Sequence, residues 1–237
     1  MKTTFLAALG AVSLIAAPAL AEVSGAELSL GYSGLADGGA RDLNKMTLGA
    51  GLEFALSPAF SVQGDLAKSW YGEAEGSSYG YGLHGVYHLP SGLALGGFAG
   101  HEKVAGDGVD FFGLEAGGTF GMVEAEGALT WLDREGVDGF GVTLRGEYAL
   151  AEQLAVGGKF ASVAADTGDA WRLSGTGAYQ ILPGLRAEGE LGLYDGDSMS
   201  TETFVGFGLR ATFGGDAVSG GGTSFGKRGL SDFLPGL

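Results

Sequence analysis

The chain has 237 residues and a formal net charge of −15, with 13 Lys and Arg against 28 Asp and Glu. That balance argues against a nucleic-acid partner, because no basic face is available to displace phosphate counterions. Cysteine is absent, which excludes disulfides, and the 48 glycines lack the strict every-third spacing of a collagen. With 45% hydrophobic residues and 25 aromatics, the glycine content does not read as disorder either.

The N-terminus reads as an export signal. Lys2 supplies a positive start, Phe5 to Ala17 an apolar run too short to span a bilayer, and Pro18 a break. Ala19-Leu20-Ala21 fits the small-x-small cleavage rule, so 1–21 is the expected signal peptide and the mature chain starts at Glu22. No later stretch holds about 18 consecutive apolar residues, so no spanning helix is expected.

From there the period is two. In Met46 to Leu56 the apolar residues Met46, Leu48, Ala50, Leu52, Phe54 and Leu56 alternate with Thr47, Gly49, Gly51, Glu53 and Ala55. The same alternation runs through 140–148, 171–181 and 185–193. Twelve strands are predicted, at 26–35, 45–56, 59–71, 78–89, 92–103, 110–121, 122–132, 139–149, 153–164, 170–182, 185–195 and 201–213. Tight, nearly uncharged turns (Ser57-Pro58, Pro90-Ser91-Gly92, Gly121-Met122, Ala151-Glu152, Pro183-Gly184) alternate with acidic connectors at 36–44, 72–77, 102–110, 133–138, 165–169 and 195–200. After Phe213 comes a glycine-rich tail, 214–237, expected to be flexible and, from the even strand count, periplasmic, with three roles open for it: a plug in the pore, contact with a periplasmic partner, or disorder.

This order predicts an all-β fold: an antiparallel up-and-down transmembrane β-barrel over 22–213, apolar outside and polar inside. A soluble sandwich or lipocalin-like barrel would put the apolar phase inward instead. Trp70, Trp131 and Trp171 all fall at strand ends beside the acidic connectors and are read as membrane-interface aromatics, with Tyr32, Tyr71, Tyr79, Phe111, Phe140, Tyr194 and Phe204 at the same end. Phe54, Phe60, Tyr87, Phe120, Tyr148, Tyr179 and Phe213 form the belt near the tight turns. The pore-lining candidates are Glu53, Asp65, Glu115, Glu126, Arg145, Lys159, Arg172, Arg186, Glu188, Glu190 and Arg210, joined on the inward phase by Glu27, Lys45, His84, His88, Glu124 and Glu147. Hairpin arithmetic sets Glu126 opposite Arg145.

The A-L-A-Glu22-Val23 junction, the first strand Glu27-Leu28-Ser29-Leu30-Gly31-Tyr32, the repeated hairpins and the closing strand Phe204 to Phe213 resemble small porin-like outer-membrane barrels of alphaproteobacteria. The resemblance covers roughly residues 1–213 and is one of pattern. It implies passive diffusion of ions and small hydrophilic solutes, a cell outer membrane location, and assembly guided by the aromatic-ended last strand. The chain departs from the large porins in having only short outer loops and in continuing past the closing strand.

The reading is therefore a porin-like channel and not an enzyme, with no cofactor and no metal site. The excess of inward acids implies a mild cation preference. The alternative is a closed structural barrel serving envelope integrity or surface interaction without transport. Expected partners are outer-membrane lipids and lipopolysaccharide, the barrel-assembly machinery and small solutes; oligomeric state is open. An enzyme would need a Ser–His contact near the outer belt. His84 and His88 lie about 13 Å apart along one strand, too far to share a metal. Asp195-Gly196-Asp197-Ser198 starts like a calcium loop but has Gly206 where the bidentate Glu belongs.

Overall fold

A computed structural model describes residues 22–36, 43–72, 76–104, 106–134, 137–197, 199–214 and 222–233. The expected signal peptide (1–21), parts of the acidic connectors, the linker 215–221 and residues 234–237 lie outside the described residues.

Twelve antiparallel strands close into one barrel: β1 (Glu22–Leu35), β2 (Asn44–Ser57), β3 (Phe60–Tyr71), β4 (Gly76–His88), β5 (Leu93–Val104), β6 (Asp107–Phe120), β7 (Val123–Arg134), β8 (Val137–Ala151), β9 (Leu154–Ala165), β10 (Gly168–Leu182), β11 (Leu185–Gly196) and β12 (Met199–Gly214). Each strand pairs with its sequence neighbours, and β1 closes on β12 through Leu30↔Leu209 and its flanking pairs. Closure satisfies every edge, the condition for crossing lipid with strands. Twelve residues at about 3.3 Å, tilted by roughly 45°, cover the apolar thickness of an outer membrane.

Alternation decides what faces where. Leu28, Leu30, Leu48, Leu66, Leu83, Leu114, Leu173, Leu191 and Phe207 are exposed on the outer wall. Glu27, Glu53, Asp65, His84, Glu115 and Glu126 are buried on the inner one. A soluble barrel has the reverse arrangement, so this is a transmembrane barrel of the outer-membrane type. The tight turns carry the positive φ their glycines permit, at Gly92 (84°) and Gly184 (76°).

The belts follow with a correction. Trp70 and Trp131 are exposed on the outer wall, and Trp131 stacks on Phe112 (5.7 Å between centroids) and meets Phe140 edge-on at 5.4 Å. Trp171 is half-buried on the same phase as Leu173. Phe111, Tyr194 and Phe204, expected in the outer belt, are instead buried inside, and the Tyr71 hydroxyl donates to Ser78 on the inner face. The strand period itself explains this: Phe111 shares the phase of Glu115, Tyr194 that of Glu190, and Phe204 that of Arg210.

The tail takes one of the places open to it: residues 222–233 lie within the lumen. Gly222 sits against Gly25 and Ala26 at the tight-turn end. Phe233, closing the single helical turn α1 (Leu230–Phe233), packs on Leu35, Ala161, Tyr194 and Phe204 at the connector end. The segment thus runs the length of the barrel interior, and it stays there because side chains of the wall replace the water its backbone and charges would otherwise keep.

Candidate functional site: the lumen

The lining is segregated by charge. On β1 to β7 the inward charged groups are mostly acids; His84 and His88 lie among them, with Lys45 on the wall and Arg134 at the connector rim. On β8 to β12 bases and acids interleave: Arg145, Glu147, Lys159, Arg172, Arg186, Glu188, Glu190 and Arg210.

Most charges of the mixed wall pair among themselves. Glu190 takes Lys159 at 3.1 Å, Arg172, and the Ser174 hydroxyl at 2.5 Å. Arg186 forks onto Glu147 (2.5 and 3.1 Å), and Glu188 bridges Arg186 and Arg210, each at 3.0 Å. Arg210 also reaches across the seam to Glu27 at 3.1 Å. Arg172–Glu190, Arg210–Glu188 and Arg210–Glu27 are diagonal pairs on neighbouring strands, whereas Arg186–Glu147 and Lys159–Glu190 reach over intervening strands; Arg186↔Arg210 and Lys159↔Arg145 are direct register partners.

The acidic wall is neutralised by the tail. Lys227 meets Glu27 at 2.5 Å. Arg228 bonds Glu115 at 2.9 Å and also Glu126, and its guanidinium lies 5.7 Å from the centre of the Phe98 ring. Glu53 accepts the Ser224 amide (2.6 Å) and hydroxyl (2.9 Å). Gln63, fully buried, holds Phe225 by both backbone groups: Phe225 N–H donates to Gln63 Oε1 at 3.1 Å, and Gln63 Nε2 donates to the Phe225 carbonyl at 2.8 Å. Gly226 N–H donates to Glu126 at 3.1 Å. Three consecutive tail amides therefore end on wall side chains. The Phe225 ring enters an inner-wall recess of Val86 and Ala94. At the far end Arg172 donates to the Phe233 carbonyl at 3.2 Å and lies over Phe204, 4.7 Å from the ring centre.

Inner-face glycines leave the room this needs. A Cβ at Gly25 would stand 1.3 Å from the Gly222 oxygen, one at Gly49 would stand 2.2 Å from the Lys227 side chain, and one at Gly96 would stand 2.7 Å from the Phe225 ring. A wall with side chains at these places would have no space for the segment.

The histidines settle into this lining. His84 Nδ1 is hydrogen-bonded to Glu115 at 2.7 Å, and its Nε2 lies 2.8 Å from Asp65. His88 Nε2 lies 2.8 Å from the Ser61 hydroxyl, which donates to Glu53 at 2.5 Å. This is a Ser–His contact, but it stands at the tight-turn end, beneath Ser224. Its carboxylate faces the serine and the same ring nitrogen (3.4 Å), whereas a nucleophilic relay needs the acid on the opposite nitrogen.

Every pore-lining candidate from the sequence lies on the inner wall, and Glu126 is register partner to Arg145 as expected. Their ion pair does not form: Glu126 goes to Arg228, and Arg145 comes no closer than 3.9 Å to a carboxylate, that of Glu147. What sequence reasoning missed is the tail's own Ser224, Phe225, Lys227 and Arg228. The available signal was two adjacent bases in a strongly acidic chain.

The seated tail does not fill the lumen. A cavity of about 360 Å³ remains between it and the mixed wall, lined by residues from Arg186 near the tight turns to Lys45 and Phe233 at the connector end. Its ionisable lining is Lys45, Arg145, Lys159, Arg172, Arg186, Arg210, Lys227 and Arg228 against Glu126, Glu147, Glu188 and Glu190.

Among known proteins, no family model matches the sequence and no curated protein matches it. Solved structures share the fold. The KdgM porin in complex with disordered oligogalacturonate superposes with a TM-score of 0.62 at 10% identity, covering 79% of this chain and 99% of that one. The NanC porin gives 0.60 at 6% identity, over 78% and 98% of the two chains. An outer membrane channel from Pseudomonas putida F1 gives 0.54 at 12% identity, over 84% and 100%. The barrel thus has the architecture of porin-like outer-membrane barrels, and at these identities the likeness is one of fold.

Proposed function

We propose that this protein is a porin-like channel of the outer membrane, of the alphaproteobacterial kind its sequence resembles, passing ions and small hydrophilic solutes by diffusion without enzymatic chemistry. The observation that carries this reading is the cavity left beside the tail, bordered by charged side chains toward both ends of a barrel with a porin architecture. A wall of fixed charges that stays hydrated is what a diffusing solute needs, and an apolar-filled core would offer none. In this reading the lipid-facing wall contacts outer-membrane lipids, the acidic connectors face lipopolysaccharide, and the closing strand ending at Phe213 is presented to the barrel-assembly machinery.

One observation favours a second reading. The tail occupies much of the lumen and joins opposite walls, as a closed structural barrel would require. Single-channel recording of the refolded mature chain, whole and ended after Gly214, separates the two. A channel gives discrete small steps from the whole chain and larger steps from the shortened one. Silence from both, with folding confirmed by heat-modifiable gel mobility, selects the closed barrel.

A further inference from the structure

Arg145 is the base the lumen leaves over. Its neighbours by register are Glu126 across the β7–β8 pair and Lys159 across the β8–β9 pair. Glu147, two residues on, is already forked by Arg186. Glu126 gives one oxygen, Oε1, to both Arg228 and the Gly226 amide of the tail, and no ion pair with Arg145 forms within 4 Å. Lys159 has Glu190 at 3.1 Å, while Arg145 has only Glu147 at 3.9 Å, beyond hydrogen-bond reach. Two like charges directly opposite on neighbouring strands repel, and a guanidinium in a confined polar cavity keeps a strong demand for an acceptor. Both line the same cavity, whose bases outnumber its acids eight to four.

We infer that Arg145 and Lys159 form a binding site for a small oxyanion in the lumen, and that the tail creates this site by drawing Glu126 onto Arg228. The acids counted on the wall are then poor guides to selectivity. Of the acids on β1 to β7 only Glu126 borders the cavity, so a solute there meets mainly the basic side. Removal of the tail returns Glu126 to Arg145, exposes the acidic wall, and reverses the sign of the field. The consequence for conduction rests on the channel reading; the site itself does not.

The test has two arms on the refolded mature protein. The first titrates inorganic phosphate by calorimetry into the whole chain, Arg145→Gln, Arg145→Lys and the chain ended after Gly214. Saturable binding is expected for the whole chain, weakened about tenfold in Arg145→Gln, largely restored in Arg145→Lys and lost in the shortened form. No saturable binding to the whole chain, or equal binding to Arg145→Gln, overturns the site. The second arm reads reversal potential in a KCl gradient: chloride preference for the whole chain, potassium preference for the shortened one. Potassium preference in the whole chain overturns the inference about selectivity. If neither form conducts while phosphate binding follows Arg145, the channel reading fails and the site stands.

Discussion

The two halves of the inner wall solve the same problem differently. On β8 to β12 acids and bases interleave, so Arg210 pairs diagonally with Glu188 on the neighbouring strand, while Arg186 reaches Glu147 and Lys159 reaches Glu190 over the strands between them. On β1 to β7 the acids have almost no bases on the wall itself, and a segment nearly a hundred residues or more away in sequence brings them: Arg228 to Glu115 and Glu126, Lys227 to Glu27, and backbone amides to Glu53 and Glu126. A wall whose charges mostly pair within it needs little more to be stable. An acid wall stripped of water needs more, because a buried unpaired carboxylate is costly. The acidic half is therefore a receptor, and the tail its ligand.

Substitutions on either side test this division. Arg228→Glu sets a third carboxylate against Glu115 and Glu126. Breaking a buried pair of this kind costs about 3–5 kcal/mol, enough to expel the segment, so single-channel steps should rise toward those of the chain ended after Gly214. Phe225→Ala empties the recess of Val86 and Ala94. The loss of about 2–4 kcal/mol should release the tail often enough to speed exchange of its protected amides by roughly a hundredfold, with barrel strands unchanged. Gly25→Ala places a Cβ on the Gly222 oxygen and should displace the start of the segment, raising its protease sensitivity, whereas Gly189→Ala, with open space around it, should leave sensitivity at the parent level. Arg186→Gln, on the mixed wall, should leave tail protection alone while lowering barrel stability by about 1–3 kcal/mol, because it breaks a largely buried two-bond fork onto Glu147 but leaves Glu188 paired with Arg210.

Most of the barrel was legible because a membrane strand must alternate, and alternation survives in any single strand such as Met46 to Leu56. Strand ends were less so. β8 runs on to pair Asp133↔Asp138 and Arg134↔Val137, in a connector whose acidity reads as loop. β1 starts at Glu22, where a bulge between Val23 and Gly25 breaks the phase. The lining residues followed from the same alternation, and applying it to Phe111, Tyr194 and Phe204 would have turned them inward too. Their aromatic character pulled them toward the interface instead. The tail was hidden for a different reason. Its attachment is made by backbone amides and by residues remote in sequence, and Gly214 to Ser224 carries the composition of a free linker. Only the inner-face glycines and the uneven distribution of bases between the two halves of the wall hint that something must fill the space.

The account stands or falls on the tail being seated against the acidic wall, and amide hydrogen exchange of the refolded, unmodified mature chain measures that directly. The amides of Ser224, Phe225 and Gly226 donate to Glu53, Gln63 and Glu126. They should exchange far more slowly than an unstructured peptide of the same sequence, and lose that protection in Arg228→Glu. Exchange of all three at the free-peptide rate, in a barrel whose strand amides are protected, would contradict it.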